Sequence, residues 1–198
     1  AGVERLIFFG SACAYPEDIP QPTSEEVLMT GRLEPTSEYY AIAKIAGMKM
    51  CEAYNRQFGC CFLSVIPATL YGPKDNFDVE TSHVLAALVA KFHRARTLNE
   101  RTVVLWGSGG PRREFLYVDD LAEACLFLMS MDETELRVAV DETGYVINVG
   151  TGVDYTIAEL ANGIKDLTGY QGEISWDDTK PDGAKRKLLD SHRIKSMG

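Results

Sequence analysis

No apolar run in this chain approaches the roughly eighteen residues that a membrane-spanning helix needs. A charged n-region followed by an apolar h-region, the pattern of a secretory signal, is missing as well. Positive charge is in the minority. Lys and Arg number 20 against 29 Asp and Glu, a net charge of −9, and general nucleic-acid binding needs the opposite balance. Cysteine is sparse: Cys13, Cys51, Cys60, Cys61 and Cys125 are odd in number and form neither a CxxC pair nor a Cys/His zinc spacing. This usage agrees with a reducing, cytoplasmic compartment and with no metal site. Internal repeats and low-complexity tracts are lacking too. What remains is an ordinary globular composition, 45% hydrophobic and 25% charged over 198 residues. That length buries a core without staples and suits one domain, or one domain and part of a second.

Along the chain, short apolar runs alternate with helical stretches. Strands are expected at Leu6–Phe9, Phe62–Ile66, Val103–Trp106, Glu114–Tyr117 and Tyr145–Val149. Helices are expected over about Ser37–Phe58, stopped by Gly59, and over Ser82–Arg96 and Val118–Met131. A further helix is opened by the capping box Thr156-Ile-Ala-Glu159. The alternation predicts a parallel α/β sheet with right-handed crossovers. At about 100° per residue, Ile42, Ile45, Ala46, Met50 and Ala53 form one stripe of the first helix, which is expected to face the core. The proline-rich loop between Pro16 and Pro35 is long enough to suggest function. The first strand begins almost at the first residue, and a buried parallel strand needs neighbours on both sides. Residues preceding Ala1 are therefore expected to complete the sheet.

Tyr40-Ala-Ile-Ala-Lys44 sets a phenol and an ammonium on consecutive helical turns. An ammonium beside a phenol favours the phenolate, which suits proton exchange with a carbonyl or carbinol oxygen. Ser11 follows Gly10 at the end of the first strand, and open α/β sheets bind ligands at the carboxyl ends of their strands. Its hydroxyl can bond the oxygen that Tyr40 protonates. Cys13 lies two residues beyond Ser11, on the same side if the segment stays extended. A thiol and the imidazole of His83, set on opposite faces of a sugar, can remove a proton next to a carbonyl and return it from the other side. Taken singly, Cys13 also reads as core packing and His83 as a helix cap or a solvated side chain. Arg112, Arg113, Lys185, Arg186 and Lys187 are basic residues that can converge on a diphosphate, or form a solvated face.

A strand-end serine followed by YxxxK on the next helix resembles the extended short-chain dehydrogenase/reductase superfamily. Within it, the runs at 38–47, 51–59, 70–77, 106–121, 147–152 and 180–190 resemble the GDP-L-fucose synthase family over essentially the whole chain. The resemblance implies a partial Rossmann-like doubly wound parallel sheet with a smaller substrate-binding α/β lobe. Residues 1–72 and 114–152 would belong to the NADP-binding domain, and 73–113 and 153–198 to the lobe that takes the GDP-sugar. It implies C3/C5 epimerisation of GDP-4-keto-6-deoxymannose and reduction at C4 with NADP(H), in a homodimer paired through helices like 37–58. By the same resemblance Ser11, Tyr40 and Lys44 are the reductase triad, and Cys13 and His83 the epimerisation base and acid. Cofactor contacts fall on Phe9, Gly10, Ser11, Ala12, Tyr40, Lys44, Pro67, Ala68, Thr69, Leu70 and His83. GDP contacts fall on Val84, Lys91, Trp106, Arg113 and Lys187. Lys91 stands where the family more often has arginine, and Ala68-Thr69 where it has Thr-Asn. The GxxGxxG turn that opens the family is not matched by Gly107-Ser-Gly109-Gly110 or by Gly150-Thr-Gly152. The chain is thus expected to be the C-terminal two-thirds of such an enzyme. A related 4,6-dehydratase would carry a carboxylate pair where Ala12 and Cys13 stand. A 4-epimerase would not need the Cys/His pair, and a non-catalytic module on the same fold would need neither.

Overall fold

Apolar runs become strands and amphipathic stretches become helices in the computed structural model, which describes residues 2–79 and 81–198. The first strand, β1 (Arg5–Phe9), is followed after a long loop by α1 (Glu38–Phe58), β2 (Cys61–Pro67) and β3 (Thr69–Tyr71). Next come α2 (Val84–Thr97), β4 (Thr102–Trp106), β5 (Arg112–Tyr117), α3 (Val118–Ser130) and α4 (Glu133–Val140). The last third runs through β6 (Val146–Val149), β7 (Asp154–Thr156), α5 (Ile157–Thr168), β8 (Glu173–Asp177), β9 (Arg186–Lys187) and α6 (His192–Met197). Gly59 ends α1 in left-handed backbone, and its N–H bonds the Asn55 carbonyl. The capping box of α5 is formed in both directions between Thr156 and Glu159.

β1, β2 and β6 form a parallel sheet in that order, with Leu6 opposite Phe62 and Val65 opposite Ile147. β4 and β8 form a parallel pair, with Val103 opposite Ile174. Another sheet has the order β3-β5-β7, with β9 also paired to β5. Parallel neighbours cannot be joined by a tight turn, so helices fill the connections. The fold is α/β with Rossmann-like parallel strands.

The described residues divide into two compact units. One holds those up to Leu70, Glu114–Val153 and Lys187–Gly198, and the other those of Tyr71–Arg113 and Asp154–Arg186. The expectation that 153–198 lies wholly in the second lobe is therefore corrected. Leu189, Ile194 and Met197 pack into the core of the first unit and take the last segment with them. That core is built on Val65, Ile66, Ile147, Leu128 and Met48. Glu114 is buried beside it, and its carboxylate accepts the N–H groups of Gly152 at 2.7 Å and Leu189 at 2.9 Å. The second unit packs Phe92, Ala95, Leu105, Ala161 and Tyr170 into one cluster, with the Phe92 and Tyr170 rings 5.7 Å apart.

The buried face of α1 differs from the expected stripe. Ala41, Met48, Cys51 and Asn55 face inward, at helical spacing, while Ile42, Ala46, Met50 and Ala53 are exposed. Gly47 explains the rotation. A Cβ there would collide with the Phe8 ring, so the helix turns its smallest residue toward β1 and carries Ile42 outward, while Ile45 stays half-buried against the core as expected. Asn55 is buried on the same face and clips α1 to β2. It donates to the Phe62 carbonyl and accepts the Phe62 N–H, both at 2.7 Å. Among the described residues no helix is long and apolar enough to cross a membrane.

Candidate active site

In the first unit the expected groups gather where β1 ends. Gly10 donates to the Val65 carbonyl at 2.8 Å, which prolongs the β1–β2 pairing by one residue. Lys44 reaches across from α1, and its ammonium donates to the Phe9 carbonyl at 2.9 Å. The same ammonium lies 5.5 Å from the centre of the Tyr40 ring and 5.4 Å from that of Phe8, within range of cation–π attraction. Tyr40 is half exposed, so its phenol is available to a ligand.

The Ser11–Cys13 segment is not extended, which corrects the side-chain alternation expected of it. Ala12–Ala14 is a turn of 3-10 helix with Ser11 as its N-cap. Ser11 Oγ accepts the Cys13 N–H at 3.2 Å, and the Ala14 N–H donates to the Ser11 carbonyl at 2.9 Å. Local capping outcompetes the strand here, as it commonly does at serine. The Ser11 hydroxyl proton stays free to donate, and Cys13 is a half-buried free thiol. Ala12 packs on the core. After β2, Ala68 is buried and donates to the Val149 carbonyl at 2.9 Å, while Thr69 and Leu70 are half-buried in β3.

His83, Val84, Lys91, Trp106 and Arg113 lie in the second unit. His83 occupies the N-cap position of α2, but its imidazole makes no capping bond and is exposed. Val84, Lys91 and Trp106 line one cleft of about 250 Å³, together with Ser82, Leu105 and Ile157. Trp106 is 66% exposed, an unusual display of indole surface. The Lys91 ammonium lies 5.9 Å from its ring and that of Lys180 5.6 Å. Burial pushes the Lys91 ammonium below the ordinary lysine value, and its contact with the Val104 carbonyl is long at 3.4 Å. Lys180 was not among the expected ligand residues. Neither was Asp182, whose carboxylate accepts the N–H and hydroxyl of Ser108 and occupies the space a Cβ on Gly107 would need. Both contacts join segments more than seventy residues apart, which no local pattern signals.

Arg113 and Lys187 are not among the residues lining that cleft. Arg113 Nη1 donates to the carbonyls of Arg112 at 2.8 Å and Ala184 at 2.7 Å, and burial pushes its guanidinium down. Lys187 is half-buried in β9, paired to β5. The convergence of five basic residues on a diphosphate is corrected in part. Arg112 and Arg186 both bond the Asp154 carboxylate, and Arg112 also lies 3.6 Å from Glu159. Asp154 and Glu159 together offset the two guanidinium charges before any ligand arrives. A larger open groove of about 820 Å³ runs along Arg96, Asn99, Arg101 and Tyr170. It lies at the starts of β4 and β8, the end of parallel strands that ligands avoid, and holds none of the expected residues.

Comparison with known proteins bears on the family and the fold. Residues 1–150 match the NAD dependent epimerase/dehydratase family. The chain is 50% identical over 197 residues to GDP-L-fucose synthase 1 of Arabidopsis thaliana, covering 100% of this chain and 58% of that protein. A GDP-6-OMe-4-keto-L-xylo-heptose reductase from C. jejuni superposes with a TM-score of 0.91 at 37% identity, over 99% of this chain and 65% of that one. A GDP-L-fucose synthetase from Naegleria fowleri, solved bound to NADP, gives a TM-score of 0.88 at 32% identity over 100% and 60%. The chain thus spans less than two thirds of each relative's length.

Proposed function

The chain belongs to the NAD dependent epimerase/dehydratase family, and from that premise we propose that its protein converts GDP-4-keto-6-deoxy-D-mannose to GDP-L-fucose. The observation that carries the reading is the grouping at the end of β1. Lys44 is bonded to the Phe9 carbonyl beside Tyr40, and the Ser11–Cys13 turn follows directly.

In this reading Ser11 donates its free hydroxyl proton to the C4 oxygen, and Tyr40 supplies the proton that this oxygen takes up on reduction. Lys44 favours the phenolate left behind. NADPH, when bound, supplies the hydride to C4. Phe9, Gly10, Ala12, Pro67, Ala68, Thr69, Leu70 and His83 are the residues proposed to meet the cofactor beside Ser11, Tyr40 and Lys44. The half-exposed phenol beside an ammonium fits that chemistry, although Ala68 offers little more than backbone. Cys13 and His83 are the proposed base and acid of epimerisation. One takes the proton from C3 or C5 to leave an enolate of the C4 ketone, and the other returns a proton to the opposite face. Val84, Lys91 and Trp106 supply an apolar wall, a cation and an indole face for the GDP moiety, and Arg113 and Lys187 supply further positive charge.

The exposed apolar side of α1, with Ile42, Met50, Tyr54 and Phe58, supports pairing with a second copy. The free thiols support a cytoplasmic setting. The test incubates the intact enzyme with GDP-4-keto-6-deoxymannose and NADPH in deuterium oxide. NADPH oxidation with deuterium at both C3 and C5 of GDP-L-fucose is expected. Reduction without exchange would leave a simple 4-keto reductase, and no oxidation at all would overturn the reading.

A further inference from the structure

One buried polar cluster in the first unit has no part in the chemistry above. Asn148, on β6, is fully buried. Its Oδ1 accepts the Tyr15 hydroxyl at 2.6 Å, and its Nδ2 donates to the carbonyls of Thr23 at 2.9 Å and Asp190 at 3.2 Å. Its backbone N–H donates to Glu25 Oε1 at 2.9 Å. A carboxamide offers two N–H donors and one acceptor oxygen, and each here faces a partner. The network also fixes which way the amide points. Turned over, it would set its oxygen against two carbonyl oxygens.

Tyr15 is 5% exposed and closes the Ala12–Ala14 turn, its N–H bonding the Ala12 carbonyl at 3.3 Å. Burial, with the charge of Glu25, pushes the phenol well above the ordinary tyrosine value, so it remains a donor at neutral pH. Ala14, next to it, is fully buried. A path of hydrogen bonds and backbone therefore runs from the sheet through Asn148 and Tyr15 to the turn that carries Ser11 and Cys13.

We propose that Asn148, acting through the Tyr15 hydroxyl, is a positioning residue that sets the direction in which the Ser11 hydroxyl and the Cys13 thiol are presented. The inference rests on the proposed function for what those two groups do, but its geometric content can be tested apart from it. Asn55 provides the contrast. It is an equally two-handed buried asparagine, yet its two bonds go to Phe62 and clip α1 to β2.

The experiment reads the five cysteines of this chain one by one in the intact enzyme, by iodoacetamide alkylation and peptide mass spectrometry. Cys13, Cys60 and Cys125 are half-buried, while Cys51 and Cys61 are buried and report unfolding. In Tyr15→Phe, which leaves the Asn148 oxygen unpaired, the Cys13 rate is expected to change by about threefold or more. Cys60 and Cys125 should keep their rates, and Cys51 and Cys61 should stay protected. With the GDP-keto sugar and NADPH, kcat should fall about 10- to 100-fold while KM holds within about twofold. Asn148→Ala should move both readouts further. Should it fail to fold, Tyr15→Phe carries the test. Asn55→Ala should leave Cys13 unchanged relative to Cys125. An unchanged Cys13 rate in Tyr15→Phe, a parallel change in all five cysteines, or the same Cys13 change in Asn55→Ala would overturn the proposal. A wild-type enzyme inert toward the sugar would instead overturn the proposed function, and the alkylation pattern would still decide the positioning.

Discussion

The two units treat their polar side chains in opposite ways. Around the Ser11–Cys13 turn of the first, Asn148, Tyr15, Thr23 and Glu25 are bonded to one another and shut away from water. Along the cleft of the second, Trp106 is left exposed between two lysines, and Lys91 makes only a long contact. Fixed geometry is what a reacting group needs, and unengaged donors and aromatic faces are what a ligand needs. If the contrast has that meaning, variants in the first unit should lower kcat, and variants in the cleft unit should weaken binding.

The sharpest test is Tyr40→Phe in the intact enzyme. Removing the general acid should lower the reduction rate about 10²- to 10⁴-fold while calorimetry finds GDP affinity unchanged. Near-normal turnover would separate the Tyr40–Lys44 pair from the chemistry.

His83 is where the contrast can break, because it lies in the unit assigned to binding. Cys13→Ser and His83→Gln should each slow deuterium exchange at C3 and C5, by about 10²-fold or more, with GDP affinity retained. A His83→Gln enzyme that exchanges at the wild-type rate but binds poorly would return His83 to the binding side.

For Arg113→Ala the loss should fall on affinity alone, about 1.5–3 kcal/mol of GDP binding if the guanidinium meets phosphate. Unchanged calorimetric affinity would leave Arg113 as the tether of the Ala184 carbonyl.

Asp154→Asn addresses stability instead. Burial pushes this carboxyl up, but Arg186 and Arg112 outweigh it and hold it below the ordinary aspartate value. Its contribution is therefore present at neutral pH and is lost as the pH falls through the folded value. The substitution should cost about 1–2 kcal/mol in denaturant melts, less than for a fully buried pair because both arginines are partly exposed. The deficit should shrink as the pH is lowered below the aspartate range. A deficit independent of pH would remove the charge from the account.

Elements that depend on local chemistry were legible from the residues alone. The stop at Gly59, the Thr156–Glu159 box and the apolar runs of β2 and β6 are of this kind, as is the Tyr40–Lys44 adjacency. What was missed is non-local. The rotation of α1 follows from Gly47 meeting a phenylalanine on another element, and a stripe drawn from hydrophobicity cannot see that contact. β3, β7 and β9 are two or three residues long and exist because a neighbour pairs with them. Lys180, Asp182 and Asn148 gain their significance from residues far along the chain.

The burial of Glu114 and Asn148 against Leu189 and Asp190 also has a consequence for biosynthesis. A ribosome releases the chain from its N-terminus, so β1, α1 and β2 emerge long before the segment that completes their unit. At about 5–20 residues per second, the interval from residue 70 to residue 190 is roughly 6–24 s. Val65 and Ile66 wait for their third strand until β6 is made at 146–149, and Glu114 and Asn148 lack their last partners through the whole interval. The second unit, whose final segment ends at Arg186, has all its parts first. Nascent chains cut at Arg186 and followed by a stalling linker long enough to clear the ribosome tunnel should therefore already protect Phe92 and Leu105, while Cys61 in the first unit still reacts.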